Sequence, residues 1–160
     1  MIFAIETICL CLLFWLICFL GTGSDEKNLK SFRSYPKELR DLLLEDPKFK
    51  DKIKVSNPIV TFISNTVMFL VILFLLGIAI RTDSYLYNFI ALLIMGQTLN
   101  LFDLLIIDLS WYRNVKRTKF KEYPNKSLYM SPKEHVLSSV KALFMFTIVA
   151  TIDGAFLILF

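Results

Sequence analysis

A single histidine, His135, and three cysteines are the only imidazole and thiol groups in this chain of 160 residues. Cys9, Cys11 and Cys18 share one apolar run. On a helix, Cys11 and Cys18 would point about 160° and 180° away from Cys9. They cannot converge on a metal, and an odd number in one span is no disulfide framework. A zinc site of histidine and cysteine is therefore excluded, and the thiols read as small packing groups. The chain has no Walker-type phosphate loop, dinucleotide-binding glycine pattern, zincin pair, nucleophile elbow or paired-cysteine redox motif. No pattern in it names a metal or a cofactor. Basic residues are also missing ahead of the first apolar run, and Glu6 lies inside that run. The run is thus expected to be an uncleaved anchor, although the small residues Gly21-Thr22-Gly23-Ser24 leave signal cleavage as an alternative.

Apolar residues are what the chain has in excess. They make up 56% of it, with 15 phenylalanines, against about 45–50% in a soluble domain. They gather into four runs, at residues 2–20, 58–80, 85–109 and 136–160. Each is long enough for a helix crossing the hydrocarbon core, which takes about 20 residues. The expected fold is all-α, an integral membrane four-helix bundle forming a single membrane domain over residues 1–160. The runs leave little length for a separate globular core.

The formal net charge of +4 has a distribution that explains it. Nine Lys and Arg lie between Lys27 and Lys54, eight between Arg113 and Lys141, and Arg81 alone lies in the short connection between the second and third runs. By the positive-inside rule, loops 21–57 and 110–135 are cytoplasmic and both termini are outside. The excess is a topology signal, with attraction to anionic lipid at the cytoplasmic face as its second effect. It is not a nucleic-acid signature. The expected location is the cell membrane, with several passes.

Within the first loop, Tyr35 to Asp46 carries Pro36 at the start and Leu39, Leu42 and Leu43 at helical spacing. A short amphipathic helix is expected, lying on the membrane surface or packed on protein. Phe49 and Ile53, set among lysines, could dip into the interface.

The third run is the unusual one. Taking Asn100 as zero, Gly96 falls at about −40°, Gln97 at +60°, Asp103 at −60°, Asp108 at +80° and Trp111 at +20°. The strongly polar residues of its second half occupy an arc of about 140°. An ionisable group facing lipid costs several kcal/mol, so this stripe must face protein or water. The turn near Asp83 makes the second and third helices antiparallel neighbours, and counting from it brings Asn65 to the depth of Asn100 and Asp103. Asn65, Gln97, Asn100, Asp103 and Asp108 are therefore the candidate substrate- or ion-binding residues. Hydrogen-bond glue between helices is the structural alternative for the amides.

Asp108 lies lower, beside Trp111, Tyr112 and Arg113, where pairing with Arg113 or Lys116 is expected. Arg113, Lys116 and Arg117 form a candidate headgroup-binding cluster. His135 follows Ser131-Pro132-Lys133-Glu134, a helix-start pattern, and reads as a first-turn interfacial residue. Glu6, Arg81, Asp83 and Asp153 are expected to gather near the outer surface as an ion-pair cluster.

Four spans with a long first cytoplasmic loop resemble the topology of small membrane-associated glutathione-metabolising proteins. The Arg, Asn and Glu signature of their second helix is absent, since 57–68 contains neither Arg nor Glu. Three functions follow from the residues: a binding or transport module for a cation, a proton or a polar group; an accessory or protective subunit docking on another membrane protein; and an enzyme acting on a lipid headgroup or isoprenoid. Four helices are few for a complete pathway, so a homo-oligomer or a larger membrane partner is expected.

Overall fold

The structure, a computed structural model, describes residues 1–54 and 57–159. Every regular element among the described residues is helical. In chain order these are α1 (Ile2–Leu20), α2 (Asp25–Lys30), α3 (Lys37–Glu45), α4 (Pro47–Lys50), α5 (Pro58–Ile80), α6 (Tyr85–Phe102) and α7 (Lys133–Phe156). Helix α6 continues directly into a π-helical segment, Asp103–Tyr112. Four helical stretches, Ile2–Leu20, Pro58–Ile80, Tyr85–Tyr112 and Lys126–Phe156, are long and apolar enough to cross a membrane. The third runs beyond residue 109, and α7 begins before residue 136 and ends at Phe156. Phe160, the last residue of the expected fourth run, lies outside the described residues. Local chemistry sets the start of α5: the Asn57 side chain accepts from the Ile59 N–H at 2.9 Å, and Pro58 takes the first helical position, where no donor is required.

The chain forms two compact units. One comprises Met1–Leu12, Ser56–Phe102 and Ser139–Phe160. Its core joins Phe69 and Leu73 of α5, Leu92, Met95 and Leu99 of α6, and Phe146 and Val149 of α7, all buried. Phe69 meets Phe146 edge to face at 4.8 Å. Gly96 makes that approach possible, because a Cβ there would lie 2.6 Å from Phe146 Cδ1 and 2.8 Å from its Cγ. Asn88, also buried, pins the α5–α6 turn: its Oδ1 accepts from the Thr82 N–H and its Nδ2 donates to the Thr82 carbonyl, each at 2.9 Å.

The other unit comprises Leu13–Val55 and Asp103–Ser138. Here the two charged loops build a hydrophobic core of their own from Leu29, Phe32, Tyr35, Leu39, Leu43, Phe49, Tyr112, Phe120 and Tyr129. Helix α3 turns Leu39 and Leu43 into this core and leaves Leu42 and Leu44 exposed. Phe49 belongs to the core as well, and Ile53 packs against it, so neither is left to reach a bilayer interface. Two of the buried phenols, those of Tyr35 and Tyr129, are hydrogen-bonded, as burial of a polar group demands. Tyr35 Oη donates to the Thr118 carbonyl at 2.8 Å; Tyr129 Oη donates to the Tyr123 carbonyl at 2.9 Å and accepts from the Phe120 N–H at 3.1 Å.

Candidate functional site

The π-helical segment decides the arrangement of the two aspartates. A π-helix bonds i to i+5 and recurs mostly at functional positions; the Ser110 hydroxyl follows the same step, donating to the Leu105 carbonyl at 2.7 Å. Five residues along an α-helix turn the chain by a net 140° or so. The wider π turn draws residues five apart toward one face. Asp103 and Asp108 thereby become charge neighbours, with His135 as the third member.

His135 Nδ1 lies 2.9 Å from Asp108 Oδ2. The imidazole is only 3% exposed, and the Tyr112 ring meets it near edge-on with centroids 5.8 Å apart. The expected pairing of Asp108 with Arg113 or Lys116 is thus replaced by one with His135, and the interfacial reading of His135 by a buried ring held on a carboxylate. Such a carboxylate fixes the ring's orientation and favours the proton on Nδ1, leaving Nε2 as an acceptor.

Asn100 and Gln97 are occupied elsewhere. Asn100 Nδ2 donates to Gln97 Oε1 and to the Ser139 carbonyl, both at 3.2 Å, and its Oδ1 accepts from the Ser139 hydroxyl at 3.0 Å. Gln97 Nε2 donates to the Leu143 carbonyl at 3.1 Å. Both amides therefore bind α6 to α7 as interhelical glue. Asn65 stands apart from this network, on an exposed part of α5. Counting residues from the turn finds depth along a helix but says nothing about rotation around it. Helix α5 turns Phe69, Leu73 and Gly77 inward, not Asn65.

The basic cluster is largely committed to backbone. Arg117 Nε donates to the Phe19 carbonyl at 3.2 Å and to Thr22 Oγ1 at 3.3 Å, and its guanidinium lies 4.2 Å from the Phe19 ring centroid. It satisfies the open C-terminal end of α1, a standard place for a cation. Gly23 makes room for it: with φ at 109° the chain is in the left-handed region, and a Cβ would lie 2.7 Å from Arg117 Cζ. Arg113 donates to the Met130 carbonyl. Of the expected headgroup residues, Lys116 is the exposed one. Trp111 meets Trp15 edge to face and Phe19 at a tilt, with ring centroids 6.5 and 6.4 Å apart.

The expected outer ion-pair cluster does not form: among the described residues, Glu6, Arg81, Asp83 and Asp153 make no salt bridge. Nor do any three His, Cys, Asp or Glu side chains among the described residues converge on a position for a metal ion. Sequence reasoning missed His135 as a member of the acidic site and Asn88 as the lock on the turn. The signal available for His135 was its uniqueness together with an unpaired acid in the preceding span. Compared with known proteins, the chain matches no family model, no curated protein and no solved structure.

Proposed function

We propose that this is a small multi-pass protein of the cell membrane whose Asp103, Asp108 and His135 bind and release a proton, as a binding or transport module acting in an oligomer. The observation that carries this reading is the buried His135 ring held 2.9 Å from Asp108, with Asp103 as its second acidic neighbour. Acidic groups and imidazoles strung along membrane helices are the usual material of proton relays. In this reading Asn100 and Gln97 serve as structural glue.

The charge distribution supports an orientation with both loops in the cytoplasm and both termini outside. Helix α3 is then a short amphipathic cytoplasmic element, and exposed lysines such as Lys116 face anionic lipid. The test is reconstitution into vesicles enclosing a pH-sensitive dye. An imposed gradient should dissipate faster with the protein than without it. Asp103→Asn and Asp108→Asn should each remove most of the difference. Equal dissipation of a proton gradient by wild type and both variants would sink the proposal.

A second reading, an enzyme acting on a lipid at the cytoplasmic interface, is favoured by the same pair, since a carboxylate-oriented imidazole is a general-base arrangement. Against it, Arg113 and Arg117 already hold backbone carbonyls. The accessory-subunit reading loses its docking face, because Gln97 and Asn100 are used within the chain.

A further inference from the structure

Helix α5 carries a second pattern that its packing within the chain does not use. Asn65, Met68, Ile72, Leu75 and Ala79 follow one another at spacings of three, four, three and four. This alternation is the heptad seam of a left-handed helix pair, the commonest packing geometry in membranes. The buried residues of α5, Phe69, Leu73 and Gly77, lie off that seam. On the seam, Asn65, Met68, Leu75 and Ala79 are exposed.

Asn65 is the residue that sets the requirement. It is the eighth residue of a helix of 23, about 10 Å from the helix start, inside the apolar thickness of a bilayer. Its carboxamide makes no hydrogen bond to any described residue, and hydrocarbon offers it no partner. Something polar must meet it. We infer that the α5 seam pairs with the same seam of a second copy of this chain, with Asn65 hydrogen-bonded to Asn65 across a twofold axis. Copies inserted in one membrane share one orientation, so two α5 helices related by such an axis run parallel and in register. Residue 65 then faces residue 65 at equal depth. A carboxamide both donates and accepts, so the same group on the second copy completes both halves of the pairing. A lone asparagine on a heptad seam also selects register and oligomeric state. This deepens the reading of the protein as a member of an oligomer and rests on that part of it alone, not on the acidic site.

The test uses the full chain in lipid bilayers, with self-association followed by energy transfer between labelled copies across a range of protein-to-lipid ratios. Wild type should dimerise. Asn65→Val should shift the midpoint toward monomer by about tenfold, in line with interhelical hydrogen bonds worth 1–2 kcal/mol at the upper end; Asn65→Gln should retain most of the association. Asn65→Val breaks no bond within the chain, so its thermal unfolding in detergent should match wild type. In a background with the three native cysteines replaced by serine, Asn65→Cys should form a disulfide-linked dimer, while Val67→Cys, exposed on another face of α5, should not. Three results would overturn the inference: a wild type that stays monomeric at every ratio, an Asn65→Val variant that associates normally, or a crosslink from position 65 only to a different protein in native membranes. Loss of association with gradient dissipation intact would confine the failure to this interface; loss of dissipation with the dimer intact would confine it to the acidic site.

Discussion

Asp108 and His135 are separated by a whole loop in the chain, yet Oδ2 of one and Nδ1 of the other stand 2.9 Å apart. The pair joins the π-helical segment to the first turn of α7 and buries the only imidazole of the protein. A hydrogen bond to a charged group contributes about 1.5–3 kcal/mol. Asp108→Asn and His135→Ala should each lower stability on that scale. Combined in one chain, they should cost at least 1 kcal/mol or so less than the sum of the two. Thermal or denaturant unfolding of the four proteins in one detergent measures this, and strict additivity would show that the two side chains do not interact.

Asp103 separates the functional reading from a structural one. Asp103→Asn keeps the size of the side chain and removes its charge and its proton. Membrane abundance should be unchanged while gradient dissipation falls tenfold or more, ~1.4 kcal/mol of barrier. Full activity at normal abundance would remove Asp103 from the site.

The two asparagines of the membrane helices should behave in opposite ways. Asn100→Leu removes the partner of the Ser139 hydroxyl and of a Gln97 oxygen on half-buried side chains between α6 and α7, at a cost of about 1–3 kcal/mol. Asn65→Leu strands nothing within the chain. Melting of each variant as a dilute monomer in detergent should show a clear loss for Asn100 and almost none for Asn65; equal losses would contradict the hydrogen-bond network described above.

The loop core carries a pH signature. Burial raises the Tyr35 phenol well beyond the usual tyrosine range. Because the folded state favours the neutral phenol, its contribution to stability is complete below the ordinary tyrosine value near 10 and is lost as pH climbs above it. Tyrosinate absorbance and protease sensitivity of residues 21–54 should therefore change together above that value. Tyr35→Phe should weaken the coupling. Ionisation of Tyr35 near pH 10 with the loops still protected would refute its burial.

Topology can be read by cysteine labelling. Thr82→Cys should react in intact cells, and Arg40→Cys and Lys121→Cys only after permeabilisation. Position 121 is chosen because Phe120 beside it lies in the loop core. Labelling of position 40 in intact cells would reverse the orientation.

Much of the architecture was open to a reading of the sequence, because hydropathy is a local sum. A run of some 20 apolar residues has few alternatives to a membrane-length helix, and the four runs reappear as four such helices. The inward face of Asn100 was legible for a similar reason: a polar stripe in a span cannot face lipid without cost. What one helix's period cannot supply is rotation against a neighbour or the identity of a distant partner. Asn65 was expected beside Asn100, but α5 leaves it exposed and turns Phe69, Leu73 and Gly77 inward instead. Asp108 was given the nearest cations in sequence, but Arg113 and Arg117 were needed on the carbonyls of Met130 and Phe19, which left the acid to His135. The loop core escaped notice because its aromatic residues are scattered singly among charges and meet only across large separations, as Tyr35 and Thr118 do. The π turn was the least visible feature. A change in helical pitch leaves no trace in composition, yet it brings Asp103 and Asp108 toward one face. Composition and charge determined that this chain forms membrane-length helices and where its polar groups had to hide; tertiary packing alone decided which of those groups meet, because hydrogen bonds and close contacts depend on the pitch and rotation of whole helices.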